Sequence, residues 1–130
     1  MIRRLGKKEH GQALVEMALV LPLFLLLLFG VIEMGRIGHA YITISNAAGV
    51  GGRMASIGGT DDQIETAIEN VVTTLDYTSL TIDIDPNEAN RQSGENIEVS
   101  VLYKVELIIP LISMMSDSVN VSSSIIMRME

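Results

Sequence analysis

The chain contains no cysteine, so no disulfide staples it and no thiolate can hold a metal. Basic side chains are scarce beyond the first eleven residues: only Arg36, Arg53, Arg91, Lys104 and Arg128 follow, against sixteen acids of which Glu9 alone precedes Gly11. An acidic body of this kind lacks the clustered Lys and Arg that a phosphate-binding surface needs, so a nucleic-acid partner is excluded. There is no histidine pair, and His39 is a lone imidazole that makes neither a metal site nor a triad. Neither a phosphate loop nor a Gly-x-Ser-x-Gly is present. The remaining acids alternate along strands or occupy a polar helix face, where solvation accounts for them. The expectation is a protein that is not an enzyme and takes no cofactor or metal.

What the chain does have is an apolar run. GQALVEMALVLPLFLLLLFGVIEMGR, from Gly11 to Arg36, follows a basic leader holding Arg3, Arg4, Lys7 and Lys8, and no charged residue occurs from Met17 to Ile32. Counted from Gln12, the stretch of low polarity is about 21 residues, or roughly 31 Å of helix, which is long enough to cross a bilayer. The run is longer than the apolar part of a secretory signal and no Ala-x-Ala follows it, so it reads as retained. The basic flank keeps the amino terminus in the cytoplasm and sends the rest outside. Glu16 is the anomaly, since a carboxylate well inside a bilayer helix costs about 2.5–3.5 kcal/mol and calls for a partner. Pro22, in the middle of the run, removes the backbone bond to Ala18 and predicts a kink or a loosened turn.

Beyond the run, Ile37, Tyr41, Ile44 and Ala48 continue at helical spacing, and Glu33 and Arg36 are one turn apart. The small residues Ala47, Ala48, Gly49, Gly51, Gly52 and Ala55 then read either as a surface for close helix packing or as a flexible stalk, ending at Gly58-Gly59. Thr60 and Gln63 form a capping box ahead of a helix whose apolar stripe runs through Ile64, Ala67, Ile68, Val71, Val72 and Leu75. Leu80, Ile82 and Ile84 alternate with polar residues and stop at Pro86-Asn87. Ile97 to Ile108 is a longer strand, Pro110 breaks it, Leu111 to Asp117 is an apolar turn or short helix, and Val119 to Met129 is the last strand. The fold class is therefore α+β: a long N-terminal membrane helix followed by a small domain with one amphipathic helix on a three-stranded antiparallel sheet. The expected division is a leader over 1–11, the long helix over 12–58 with its membrane-spanning part at 13–32, and a head domain over 59–130.

A basic leader ending in glycine, followed by four residues, a glutamate and an apolar helix, resembles the start of type IV pilin-like prepilins. The Gly11–Arg36 run is most similar to TadE-like proteins, the pseudopilins of tight-adherence (Flp) pilus systems. The resemblance continues through Asn46-Ala47-Ala48 and Gly52-Arg53-Met54-Ala55 to a strand closing on Arg128-Met129-Glu130. It implies that a prepilin peptidase cuts between Gly11 and Gln12, so that Glu16 becomes the fifth mature residue. Residues four apart share a helix face, so Glu16 can then meet the new amine of Gln12, or that of a neighbouring subunit. The implied partners are that peptidase, other pilins or pseudopilins and an inner-membrane assembly platform, in a homo- or hetero-oligomer. The implied place is the inner membrane, as a single-pass protein with its head outside. One departure stands out: Met17 replaces the tyrosine that often follows the glutamate.

Two other readings stay open in the sequence: an uncleaved membrane-anchored binding or sensor module, and a major filament-forming subunit. Asp83, Asp85 and Glu88 gather oxygen ligands, but an EF-hand loop from Asp83 needs glycine where Glu88 stands and glutamate where Gly94 stands, so a solvated strand end is the simpler reading. Asn120-Val121-Ser122 matches a glycosylation sequon but falls inside a strand.

Overall fold

The computed structural model describes residues 6–130, and Arg3 and Arg4 of the basic leader lie outside them. Helix α1 runs Gly6–Ser56 without interruption, 51 residues in all, or about 76 Å. Its first half exposes apolar side chains on every face and its second half packs into the head. The chain turns at Gly58, whose φ of +81° suits glycine. There Gly58 N–H donates to the Ala55 carbonyl and Gly59 N–H to that of Met54, both at 3.0 Å, closing the helix end.

Helix α2, Asp61–Glu69, starts with the expected capping box: the Thr60 hydroxyl accepts from Gln63 N–H at 3.2 Å, and the Gln63 side chain accepts from Thr60 N–H at 3.1 Å. Its apolar stripe meets the core through Ile64 and Ile68. The stripe reaches Leu75 as expected, but the helix does not. The β-branched run Val71-Val72-Thr73-Thr74 is a poor helix former. It continues as turns that still bury Val72 and tuck Val71 and Leu75 against the core.

Three strands form one antiparallel sheet in the order β1-β2-β3, with β1 at Leu80–Asp85, β2 at Asn96–Glu106 and β3 at Ser118–Arg128. Register pairs Ile82 with Val101 and Val101 with Ser123, so the central strand carries Ile97, Val99, Val101 and Val105 on the buried face. The second strand is shorter than the sequence suggested, because Leu107 and Ile108 lie past its end. The buried face of the sheet rests chiefly on the second half of α1, with α2 lying against the same helix.

That arrangement resolves the small-residue section. Ala40, Ile44, Ala47, Ala48 and Ala55 are all buried in the core, so of the two readings the segment is the packing surface and not a flexible stalk: it closes against α2 and the sheet of its own head. Gly51 and Gly52 face neighbours so closely that an added Cβ would lie 2.7 Å from Ile68 Cδ1 and from Ile125 Cγ2, respectively. Of the residues at helical spacing, Ile44 and Ala48 take the inward face together with Ala40, while Tyr41 is exposed.

The distal end of the head is held by a side chain that periodicity does not mark. The Arg91 side chain is 4% exposed and pairs with Asp61. Its Nε donates to the Pro86 carbonyl at 3.0 Å and its Nη1 to that of Gly59 at 2.8 Å. Burial lowers its pKa, which still leaves the guanidinium charged at neutral pH. It ties the β1–β2 loop to the end of α1 and the start of α2. Arg91→Ala takes a partner from two carbonyls and from Oδ1 of Asp61, whose Oδ2 keeps the Glu88 N–H, and partial exposure of Asp61 lets water recover some of the loss. The expected cost is about 2–3 kcal/mol in denaturant unfolding of the detergent-solubilised protein. Arg128→Ala, which removes a single exposed bond to the Gly94 carbonyl, should cost no more than about 1 kcal/mol. Equal effects of the two would overturn the staple.

Candidate functional site

The site is built on the first half of α1. Most of its apolar side chains face outward among the described residues: Leu14, Leu19, Leu23, Leu27 and Val31 are all more than 60% exposed. Exposed leucines on all faces of a helix are costly in water, where each buried equivalent is worth about 1.5–3 kcal/mol. A bilayer, or the apolar flanks of similar helices, removes that cost. This is the one described helix long and apolar enough to span a membrane.

Polar groups bracket the run. At the leading end the Gln12 side-chain amide donates to Glu16 Oε1 at 3.3 Å, four residues along the same face. At the far end Glu33 is 5% exposed and accepts from Arg36 Nη1 at 2.7 Å. That same nitrogen donates to the Glu106 carbonyl at 3.2 Å. The Glu33–Arg36 pair is legible in their one-turn spacing, but the link to β2 is not, because it depends on where the hairpin ends. Glu16 and Glu33 are about 26 Å apart along the axis, close to the thickness of a hydrocarbon core. A paired, shielded carboxylate suits a membrane boundary because neither charge is left alone.

Gly11 and Gln12 lie within α1, and among the described residues an added Cβ at Gly11 would meet nothing within 4 Å. Pro22 also lies inside α1, and the helix continues on both sides of it. Glu16 is thus brought together with Gln12, while Pro22 sits farther along the same span.

The acids around Asp83 behave as an outer sheet face. Asp83, Asp85 and Glu98 line one groove, with Asp85 directly opposite Glu98. Among the described residues no group of three or more His, Asp or Glu is placed to hold a metal. His39 shares a 3.1 Å hydrogen bond with the Thr74 hydroxyl. Asp76 caps the turn before β1, and bonds from the Thr78 hydroxyl and then the Thr78 N–H hold its carboxyl below the usual range.

Comparison with protein families places this geometry. Residues 11–53 match the family model of TadE-like proteins. The match begins at Gly11, takes in Glu16, the whole apolar run and the Glu33–Arg36 pair, and stops among the small residues that floor the head. It agrees with the resemblance read from the run itself and ties the chain to Tad pilus systems. The sheet and α2 lie outside the matched segment. No curated protein and no solved structure matches the chain.

Proposed function

We propose, from a TadE-like segment whose apolar half is largely exposed in its own fold, that the protein is a minor pseudopilin: a structural subunit of a Tad (Flp) pilus or a related secretion apparatus. It acts by association and catalyses nothing. The observation that carries this reading is that the matched residues take in the whole exposed apolar half of α1, from Gly11 to Arg36. A helix that displays its apolar side chains on every face can lie in the inner membrane first and pack with other pilin-like helices afterwards, without refolding. The head stays outside the cytoplasm, with the basic leader inside.

Processing by a prepilin peptidase at Gly11–Gln12 belongs to the same proposal. Glycine is the weakest helix former after proline, which favours local unwinding at Gly11 when a peptidase needs an extended strand. The new amine would then lie on the face of Glu16. Other pilins, the peptidase and an inner-membrane platform are the partners this implies, in a homo- or hetero-oligomer.

Mass spectrometry of the amino terminus, on membrane and sheared-filament fractions from the native host, tests it. The expected species begins at Gln12. A chain beginning at Met1, found in the membrane alone, would instead make the protein an uncleaved anchored module. Great abundance in the filament fraction would make it a major subunit.

A further inference from the structure

The hairpin between β2 and β3 ends in a segment that neither the sheet nor the head core uses. Leu107 to Ser116 contains no charged residue. Ile108, Met114 and Met115 are 68%, 85% and 90% exposed. Helix α3, Pro110–Ser113, forms its tip. This tip does not point into solvent away from the molecule. Ile109, Pro110 and Met114 line a groove with Leu25, Leu26 and Phe29 of α1, and Ile109 is buried there although it is no part of the head core.

The depth follows from the bond that fixes the hairpin's root. Arg36 holds the Glu106 carbonyl, so β2 ends level with the last turn of the apolar run. Three extended residues beyond Glu106 reach about 10 Å before α3 begins, and the groove that Pro110 and Met114 share with Leu25, Leu26 and Phe29 shows how far along α1 the tip extends. Measured from Glu33, the first charge after the run, Phe29 and Leu25 are about 6 and 12 Å inside it. The tip therefore lies alongside residues that a membrane-spanning α1 puts in the outer leaflet.

Most of its N–H groups find a partner within the chain. A backbone group in hydrocarbon must find its partner internally. Leu107 N–H donates to the Asp117 carbonyl, Ile112 and Ser113 N–H to that of Ile109, and Met115 and Ser116 N–H to that of Ile112. Pro110 has no N–H to satisfy. Both tip hydroxyls turn back on the chain, Ser113 to the Pro110 carbonyl at 3.0 Å and Ser116 to that of Ser118 at 2.9 Å. Glu106 and Asp117 close the segment with charge on both sides.

We infer that the β2–β3 tip is a second membrane contact, inserted among the acyl chains of the outer leaflet, that fixes the head upright against the bilayer. The occupant of its exposed face is lipid. This rests on α1 spanning the membrane, since the tip takes its depth from that helix. Glu33 is shielded at the point where helix, hairpin and headgroups meet.

The absence of cysteine makes the test clean. Met115→Cys, Val20→Cys on the span and Gln92→Cys in the distal β1–β2 loop are each labelled with nitrobenzoxadiazole. The full chain is reconstituted in phosphatidylethanolamine–phosphatidylglycerol vesicles carrying nitroxide on the acyl chains. The expected result is that the probes at 115 and 20 are quenched several-fold more strongly than the one at 92, while aqueous iodide reaches only 92. If 20 is quenched by the nitroxide but 115 is reached by iodide as readily as 92, the tip is in water and the inference fails while the membrane reading stands. If 115 is shielded from both quenchers, a protein surface covers the tip and the inference again fails. If 20 itself escapes the nitroxide, the spanning helix is wrong and the tip's depth falls with it.

Discussion

Gly51→Leu is expected to destabilise the head by about 3 kcal/mol or more, by forcing side-chain atoms into a packed core. Gly51 is where α1, α2 and β2 meet: an added Cβ would lie 2.7 and 2.9 Å from the two outer carbons of Ile68 and 3.2 Å from Val99 Cγ1. Ile68 and Val99 are both fully buried, so neither can swing into solvent to make room. A leucine in place of glycine gains up to about 1 kcal/mol in helix propensity, which offsets only part of the clash. For a domain of this size, total stability is of the order of 4–10 kcal/mol, so the variant loses a large share of it. Gly49→Leu is the internal control, because an added Cβ there meets nothing within 4 Å. It gains the same propensity without the clash and should be neutral or slightly stabilising. Thermal unfolding of the two detergent-solubilised variants by circular dichroism decides the matter. If Gly51→Leu melts with Gly49→Leu, then α1 is not packed in the head as described.

Those glycines also show where the sequence stopped being legible. Within one element the signals are local: Thr60 and Gln63 are three residues apart, and Leu80, Ile82 and Ile84 alternate on a two-residue period. The capping box, the strands and the antiparallel sheet were therefore readable. A glycine in a helix, by contrast, reads as weakness until its neighbour is known, and the neighbours of Gly51 and Gly52 are Ile68 and Ile125, far along the chain. The same holds for Arg91, an isolated cation in a polar loop whose partners Gly59 and Asp61 lie some thirty residues earlier. Of the tip, Leu111 to Asp117 was legible as an apolar turn or short helix, too short to span a membrane. Its meaning comes from the Arg36–Glu106 bond, which sets its level against α1. Along the candidate site, Glu16 and the unbroken apolar run are plain in the sequence because a charge among leucines stands out in one dimension.

Glu16→Ala is expected to lower incorporation into the pilus or its assembly complex by about tenfold or more, the equivalent of one charge-assisted hydrogen bond. Membrane insertion should move the other way, since removing a carboxylate from a bilayer helix relieves up to about 2.5–3.5 kcal/mol. The opposite signs separate an assembly role from a simple failure to insert. Glu16→Gln refines the test. In the unprocessed chain the Gln12 side-chain amide donates to Glu16, and a neutral amide at position 16 can still accept that bond. A cleaved chain instead presents an ammonium group, whose attraction to position 16 depends on the full negative charge. Measured by co-purification with the assembly complex, Glu16→Gln should therefore fail nearly as badly as Glu16→Ala if the amine of Gln12 is the partner. Retained incorporation of Glu16→Gln would rule the amine out and leave a neutral hydrogen bond in its place. Retention by Glu16→Ala as well would end the assembly role of this residue.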